Sequence, residues 1–137
     1  MDVSEEEYEI REGLLYTSTH EWAKLEGGLM VMGITDYAQR MLHEIVFVEL
    51  PRRDAEVTKG EAFMSVESVK AVSDVYAPVS GRVVEVNGDL ETFPERVNES
   101  PYEKGWMAKI EPSAWEEESK GLLGAEAYRK VIEEESA

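Results

Sequence analysis

Short apolar runs alternate with polar breaks along most of the chain, and a different spacing takes over near its end. From Tyr16 to Ile110 the runs are rich in Val, Ile, Phe and Met and are separated by Gly, Pro, Asn and Asp. Runs of this length and alternation are the signature of half-buried strands. They predict strands over 14–17, 20–26, 29–34, 45–49, 61–68, 71–77, 81–86 and 106–111. Thr35 stands where it can cap a short helix over 36–42, with Tyr37, Ala38 and Met41 spaced to share a face. Near the C-terminus Ala127, Tyr128, Val131 and Ile132 recur at helical spacing, which predicts a helix over 125–134. Pro112-Ser113 marks the boundary before it. The expected organisation is therefore an acidic extension over 1–12, a β domain over 13–112 and a helical appendage with an acidic tail over 113–137. Ser4 and Glu7 have the spacing of a capping box, so the extension reads either as a short helix or as a solvated arm.

A chain of 137 residues is long enough for one hydrophobic core and too short for two large domains. Its 30 acidic and 14 basic residues give a net charge of −16. Phosphate recognition needs clustered Lys and Arg, so nucleic acid and anionic membrane surfaces are disfavoured as partners. Residues 1–12 carry six acids and one base, and 114–137 carry seven and three, so much of the acidity is terminal. Its expected roles are solubility and steering toward basic patches on partners. Cysteine is absent, which removes disulfides, thiolate metal sites and thiol nucleophiles. No run approaches the roughly 18 apolar residues of a membrane span, and the first residues are acidic where a targeting peptide is basic. A cytoplasmic location is expected, with a processed organellar form left open.

The segment with chemical interest is Val66-Glu67-Ser68-Val69-Lys70-Ala71-Val72-Ser73-Asp74-Val75. Two alternating runs meet at Val69 and Lys70 with no room for a long loop, which puts the lysine at a hairpin tip. Pro78 and Gly81 supply the next turn. A lysine so placed is exposed and can enter another protein's active site, as a covalent carrier site requires. Nothing around it forms the apolar pocket of a Schiff-base lysine, and no His or Tyr relay stands beside it in the sequence. An ordinary surface lysine, and a docking module with no attached group, are the other readings.

The segment Glu67-Ser68-Val69-Lys70-Ala71, with Ala77-Pro78-x-Ser80-Gly81-x-Val83, resembles the lipoyl-attachment region of the H protein of the glycine cleavage system. A biotin carrier usually has methionines flanking the lysine; here they are Val69 and Ala71. The resemblance continues through Tyr16-Thr17-x-Thr19-His20-Glu21-Trp22, Gly33-Ile34-Thr35-Asp36-Tyr37-Ala38-Gln39, Val46-Phe47-Val48-Glu49-Leu50-Pro51, Asn87-x-x-Leu90, Val97-Asn98, Ser100-Pro101-Tyr102 and Gly105-Trp106. It covers roughly residues 14–135. It implies a mainly β fold, a flattened β-sandwich or barrel of the biotinyl/lipoyl hammerhead type, with small added helices and a C-terminal helix.

The resemblance also implies that Lys70 carries lipoate through an amide, on an arm reaching about 10–15 Å from its Cα. Such a carrier is a substrate of other enzymes and needs no acid or base of its own. The implied partners are the pyridoxal-phosphate glycine decarboxylase component, the tetrahydrofolate-dependent aminomethyltransferase, dihydrolipoamide dehydrogenase and a lipoylating enzyme. A monomer suits that use. Glu67, Ser68, Val69 and Ala71 would shape the attachment hairpin, and Glu21 and Asp74 are candidates for a cleft holding the ammonium end of the loaded arm.

Other conspicuous residues point to packing. His20 and His43 have no i, i+4 partner and predict no metal site. Trp22, Trp106 and the run Met30-Val31-Met32 read as core or strand packing. Three features depart from the family pattern: His43 where Gly usually follows the short helix, Arg52-Arg53-Asp54 where a turn usually contains Gly, and a longer acidic extension. They leave open a divergent H-like lipoyl protein serving lipoate relay or another lipoyl-dependent pathway.

Overall fold

A computed structural model describes residues 8–136. The Ser4–Glu7 capping box lies outside the described residues. Among the described residues nine strands form two antiparallel sheets: β1 (Leu15–Tyr16), β2 (Glu21–Glu26), β3 (Leu29–Ile34), β4 (Ile45–Glu49), β5 (Glu56–Val57), β6 (Ala62–Ser68), β7 (Val72–Tyr76), β8 (Gly81–Val86) and β9 (Ala108–Pro112). The larger sheet has the order β1-β2-β3-β9-β8-β5 and the smaller the order β4-β6-β7. Among the described residues there are also five α-helices, α1 (Asp36–Leu42), α2 (Asp89–Thr92), α3 (Arg96–Glu99), α4 (Trp115–Glu118) and α5 (Ala125–Ser136), and a 3-10 turn at Ser119–Gly121. This is the mainly β architecture with small helices and a C-terminal helix that the sequence pattern predicts.

Alternation explains how the smaller sheet packs. Along β6, Met64, Val66 and Ser68 are buried while Phe63, Ser65 and Glu67 are half-buried. Successive strand side chains point to opposite faces, so the first set turns to the core and Ser65 and Glu67 to the outside. Met64 and Val66 join Met30, Met32, Ile45, Val48, Val75, Val83, Met107 and Ile110 in one apolar cluster. Met30 and Met32 pack within it as expected of strand residues. Gly27 and Gly28, at φ of 59° and 81°, close the β2–β3 hairpin in the left-handed geometry that a tight turn favours.

A second cluster packs α5 against the edge of the larger sheet. Tyr16, Trp22, Val31, Tyr37, Tyr102, Ala125, Tyr128 and Ile132 are all buried in it. Tyr16 stacks on Tyr128 with ring centroids 4.4 Å apart. The backbones of Tyr16 and Leu123 exchange two hydrogen bonds of 2.7 Å, which fastens the C-terminal segment to β1. Tyr8 and Ile10 pack on the same cluster, and Tyr102 donates its hydroxyl to Glu9 O at 2.6 Å. Trp22 is buried and donates its indole N–H to Pro101 O at 2.9 Å. Trp106 is half-buried at the edge, with Lys109 over its ring.

Thr35 caps α1 by accepting from the Ala38 N–H at 3.2 Å. The helix ends at His43 with φ 67° and ψ −150°, a region that β-carbons resist. Asp54, in the Arg52-Arg53-Asp54 turn, is also left-handed at φ 70°. A glycine would remove the strain at the first position, because His43 contributes only its backbone to the bonds there: its N–H donates to Gln39 O and its carbonyl accepts from Asn98 Nδ2. His43→Gly should therefore stabilise the fold by about 1–2 kcal/mol. A raised urea midpoint with an unchanged slope is the expected observation.

Candidate functional site

β6 and β7 pair from Ala62↔Tyr76 to Glu67↔Val72, and Val69 and Lys70 form the tip of their hairpin. The Ser68 N–H donates to Ala71 O at 2.8 Å. Two-residue hairpin loops usually rely on positive φ to match the strand twist, and neither tip residue has it. Ser68 supplies the missing restraint. Its buried Oγ accepts from the N–H groups of Lys70 at 3.2 Å and Ala71 at 3.0 Å. The Val69 N–H donates to Glu44 O at 3.1 Å, which ties the tip to the residue before β4. Every N–H from Ser68 to Ala71 is thus committed, and the lysine stands on an ordered base.

Lys70 and Ala71 are exposed, and Val69 is 64% exposed. The Lys70 ammonium makes no ion pair or hydrogen bond among the described residues. Glu67 is half-buried, and the register puts Phe47 on one side of it and Val72 on the other. Asp74 is exposed on β7, opposite Ser65.

Glu21 has a different environment from the one expected of a cleft carboxylate. It is buried, at 1% exposure. One oxygen accepts from the hydroxyls of Thr17 at 2.5 Å and Thr19 at 2.6 Å, and the other from the Tyr76 N–H at 3.0 Å. Glu21 therefore clamps the end of β7 to the loop before β2. Burial pushes its carboxyl above the ordinary range, against the opposing pull of the Thr17 and Thr19 hydroxyls and the Tyr76 N–H.

A raised carboxyl has a definite consequence for stability. As pH rises past the ordinary Glu value, the unfolded chain releases this proton before the folded chain does. The folded state then holds more protons, so stability falls with pH until the folded carboxyl has also ionised. Glu21→Gln lacks this limb. In paired denaturation curves from pH 4 to 8, the wild type should lose stability relative to Glu21→Gln as pH increases; a constant difference would exclude the burial effect.

Beside the hairpin lies a cleft of about 230 Å³ between β7, α1 and the end of α5, whose lining includes Thr19, His20, Tyr37, Ser73 and Glu135. His20 bridges the elements: Nδ1 is 2.7 Å from the Tyr128 hydroxyl, and Nε2 is 3.0 Å from both oxygens of Glu135. Asp74 lines a separate groove with Glu49 and Arg52. The structure thus places Glu21 in a buried clamp and Asp74 on an outer face, while Thr19, His20, Ser73 and Glu135 surround the cleft. Thr19 and His20 were within reach of sequence reading, because they adjoin Glu21 in the motif Thr19-His20-Glu21-Trp22. Glu135 carried no signal, being 115 positions from His20.

A family model described as "Glycine cleavage H-protein" matches residues 14–135. The probable glycine cleavage system H protein of Thermococcus gammatolerans is 56% identical over 128 residues, covering 93% of this chain and 95% of that protein. Its counterpart in Pyrococcus abyssi is 56% identical over 127 residues, covering 92% and 94%. The crystal structure of a glycine cleavage system H protein from Mycobacterium marinum superposes with a TM-score of 0.82 at 36% identity, covering 90% of this chain and 98% of that one. Among the described residues no helix is long and apolar enough to cross a membrane.

Proposed function

The chain belongs to the glycine cleavage H-protein family, and from that premise we propose that it is a lipoyl carrier whose attachment site is Lys70. The observation that carries this reading is the exposed lysine on a hairpin tip whose four N–H groups are all committed. Its ammonium has no protein partner to give up, so acylation breaks no contact among the described residues. Amide formation removes one positive charge and takes the net charge from −16 to −17.

When bound, the dithiolane of lipoate supplies the reducible disulfide to which an aminomethyl group from glycine is transferred. The chain's own residues do the positioning. Ser68 fixes the direction in which Lys70 leaves the sheet, and Glu44 O fixes the tip against β4. Glu21 holds β7 to the loop bearing Thr19. Thr19, His20, Ser73 and Glu135 are among the polar groups available to an arm folded back beside β7, with Glu135 contributing the carboxylate in that cleft. Asp74, on the outer face, stands nearer to arriving partners.

In this reading the carrier serves glycine decarboxylase, aminomethyltransferase and dihydrolipoamide dehydrogenase in turn, after a lipoylating enzyme has loaded it. The test is glycine-dependent carbon dioxide exchange with a glycine decarboxylase. Addition of the lipoylated chain should support exchange. A fully lipoylated chain that leaves exchange at the background would instead favour the H-like relay reading.

A further inference from the structure

The outer face of the β4-β6-β7 sheet carries a surface that the carrier role does not by itself explain. Cross-strand partners share a face, so the register assembles two rows there: Phe47–Glu67–Val72 nearest the tip, then Glu49–Ser65–Asp74. The first row is unusually apolar for an open face, with Phe47 47% and Val72 66% exposed. A bulge adds to it. Ile45 pairs with Ser68 and Phe47 with Glu67, so Val46 is an extra residue on β4 and is also 47% exposed. Val69, at 64% exposure, continues the apolar surface to the lysine itself. A groove of about 620 Å³ overlaps the second row and runs on past Leu50, Glu56 and Phe63. Its lining and the two rows hold the carboxylates of Glu49, Glu56, Glu67 and Asp74 against the single cation Arg52.

We infer that this face is the docking surface for the enzyme that acylates Lys70, and that the enzyme meets it with an apolar projection framed by Lys and Arg. The inference rests on the reading of Lys70 as the attachment site. Reach selects the occupant. The Lys70 Nζ extends only about 6 Å from its Cα, so an enzyme that forms the amide must approach the tip that closely and cover its neighbours. An enzyme that acts on the far end of a loaded arm can stand about 10–15 Å away. In the acylation an activated lipoyl adenylate loses its acyl–phosphate bond, the amide C–N bond forms at Nζ, AMP leaves, and the amine releases a proton. No oxidant or reductant is needed. Apolar centres within a charged rim are where binding energy concentrates, and the charges set approach rate and orientation.

The experiment is acyl transfer from lipoyl-AMP by a lipoate–protein ligase to the purified full chain, with kcat and KM measured separately. Phe47→Asp and Val72→Asp should each lower kcat/KM about tenfold through KM, while the distant Leu25→Asp on the other sheet stays within about twofold. Leu25 is 48% exposed, so it controls for a new surface carboxylate as such. Glu49→Lys should lower kcat/KM and flatten its dependence on salt. Retained far-ultraviolet signal and melting temperature show that each variant is folded, and Val72→Thr, which keeps shape but not apolarity, should give a smaller loss in the same direction. Wild-type acylation of Phe47→Asp and Val72→Asp would overturn the inference, as would an equal loss in Leu25→Asp. Normal acylation of Phe47→Asp with slowed reoxidation by dihydrolipoamide dehydrogenase would overturn it by assigning the face to a later enzyme. A wild-type chain that takes no acyl group would overturn the Lys70 reading itself, and this one with it.

Discussion

Lys70→Arg should abolish glycine-dependent exchange while leaving the fold unchanged. Arginine keeps the charge and the long side chain, and the tip asks nothing more of this position: Lys70 is exposed, and its contribution to the turn is a backbone N–H received by Ser68 Oγ. A guanidinium is held protonated and offers no amine nucleophile, so no acyl group can be attached. The effect is all-or-none, because the other lysines do not stand on this hairpin. Unchanged melting with background exchange is the expected pair of results. Residual exchange well above background would mean that a second lysine carries the group.

Gly81→Ala should have the largest effect on stability among conservative replacements. A β-carbon at Gly81 would lie 2.1 Å from Glu111 O and 2.9 Å from both Glu111 C and Ile110 Cγ2. Two of these three atoms belong to the backbone of β9, which pairs with β8 at this point, so relief requires the strands to separate. Overpacking of this kind costs about 3 kcal/mol. A large fall in the urea midpoint should accompany normal acylation of Lys70 under conditions where the variant is folded. A loss below about 0.5 kcal/mol would show that the strands part easily there.

These two residues illustrate how differently the sequence displays its reasons. Lys70 was legible because two alternating runs meet at it. Gly81 was legible as a turn residue and as a member of a family-like motif, but it begins β8, and its cause is the backbone across the sheet. The strands over 29–34, 45–49 and 81–86 have the predicted bounds, and α1 does too. The two-residue β5 escaped, being too short to show alternation. The helices α2, α3 and α4, of four residues each, escaped for the same reason.

Which strands join which sheet was not visible either, because an alternating strand reads the same in both. Glu21 is the clearest failure of pattern. Glu21, Trp22 and Ala23 are all buried on β2, whose two faces are covered by the main core and by the aromatic cluster under α5. A strand covered on both sides loses its polar face, so a carboxylate there must find donors, and Thr17, Thr19 and Tyr76 supply them. The bulge at Val46 was hidden for a related reason: Val46-Phe47-Val48 looks like one apolar run until the register shows two of its members facing outward.

Peptide mapping identifies the acylated residue. The chain is produced in cells supplied with lipoate, or incubated with a lipoate–protein ligase and lipoyl-AMP, and its intact mass and proteolytic peptides are then measured. A single lipoyl group is expected, on Lys70, and none on Lys70→Arg. An unmodified chain after exposure to a competent ligase, or a lipoyl group on any other lysine, would contradict it.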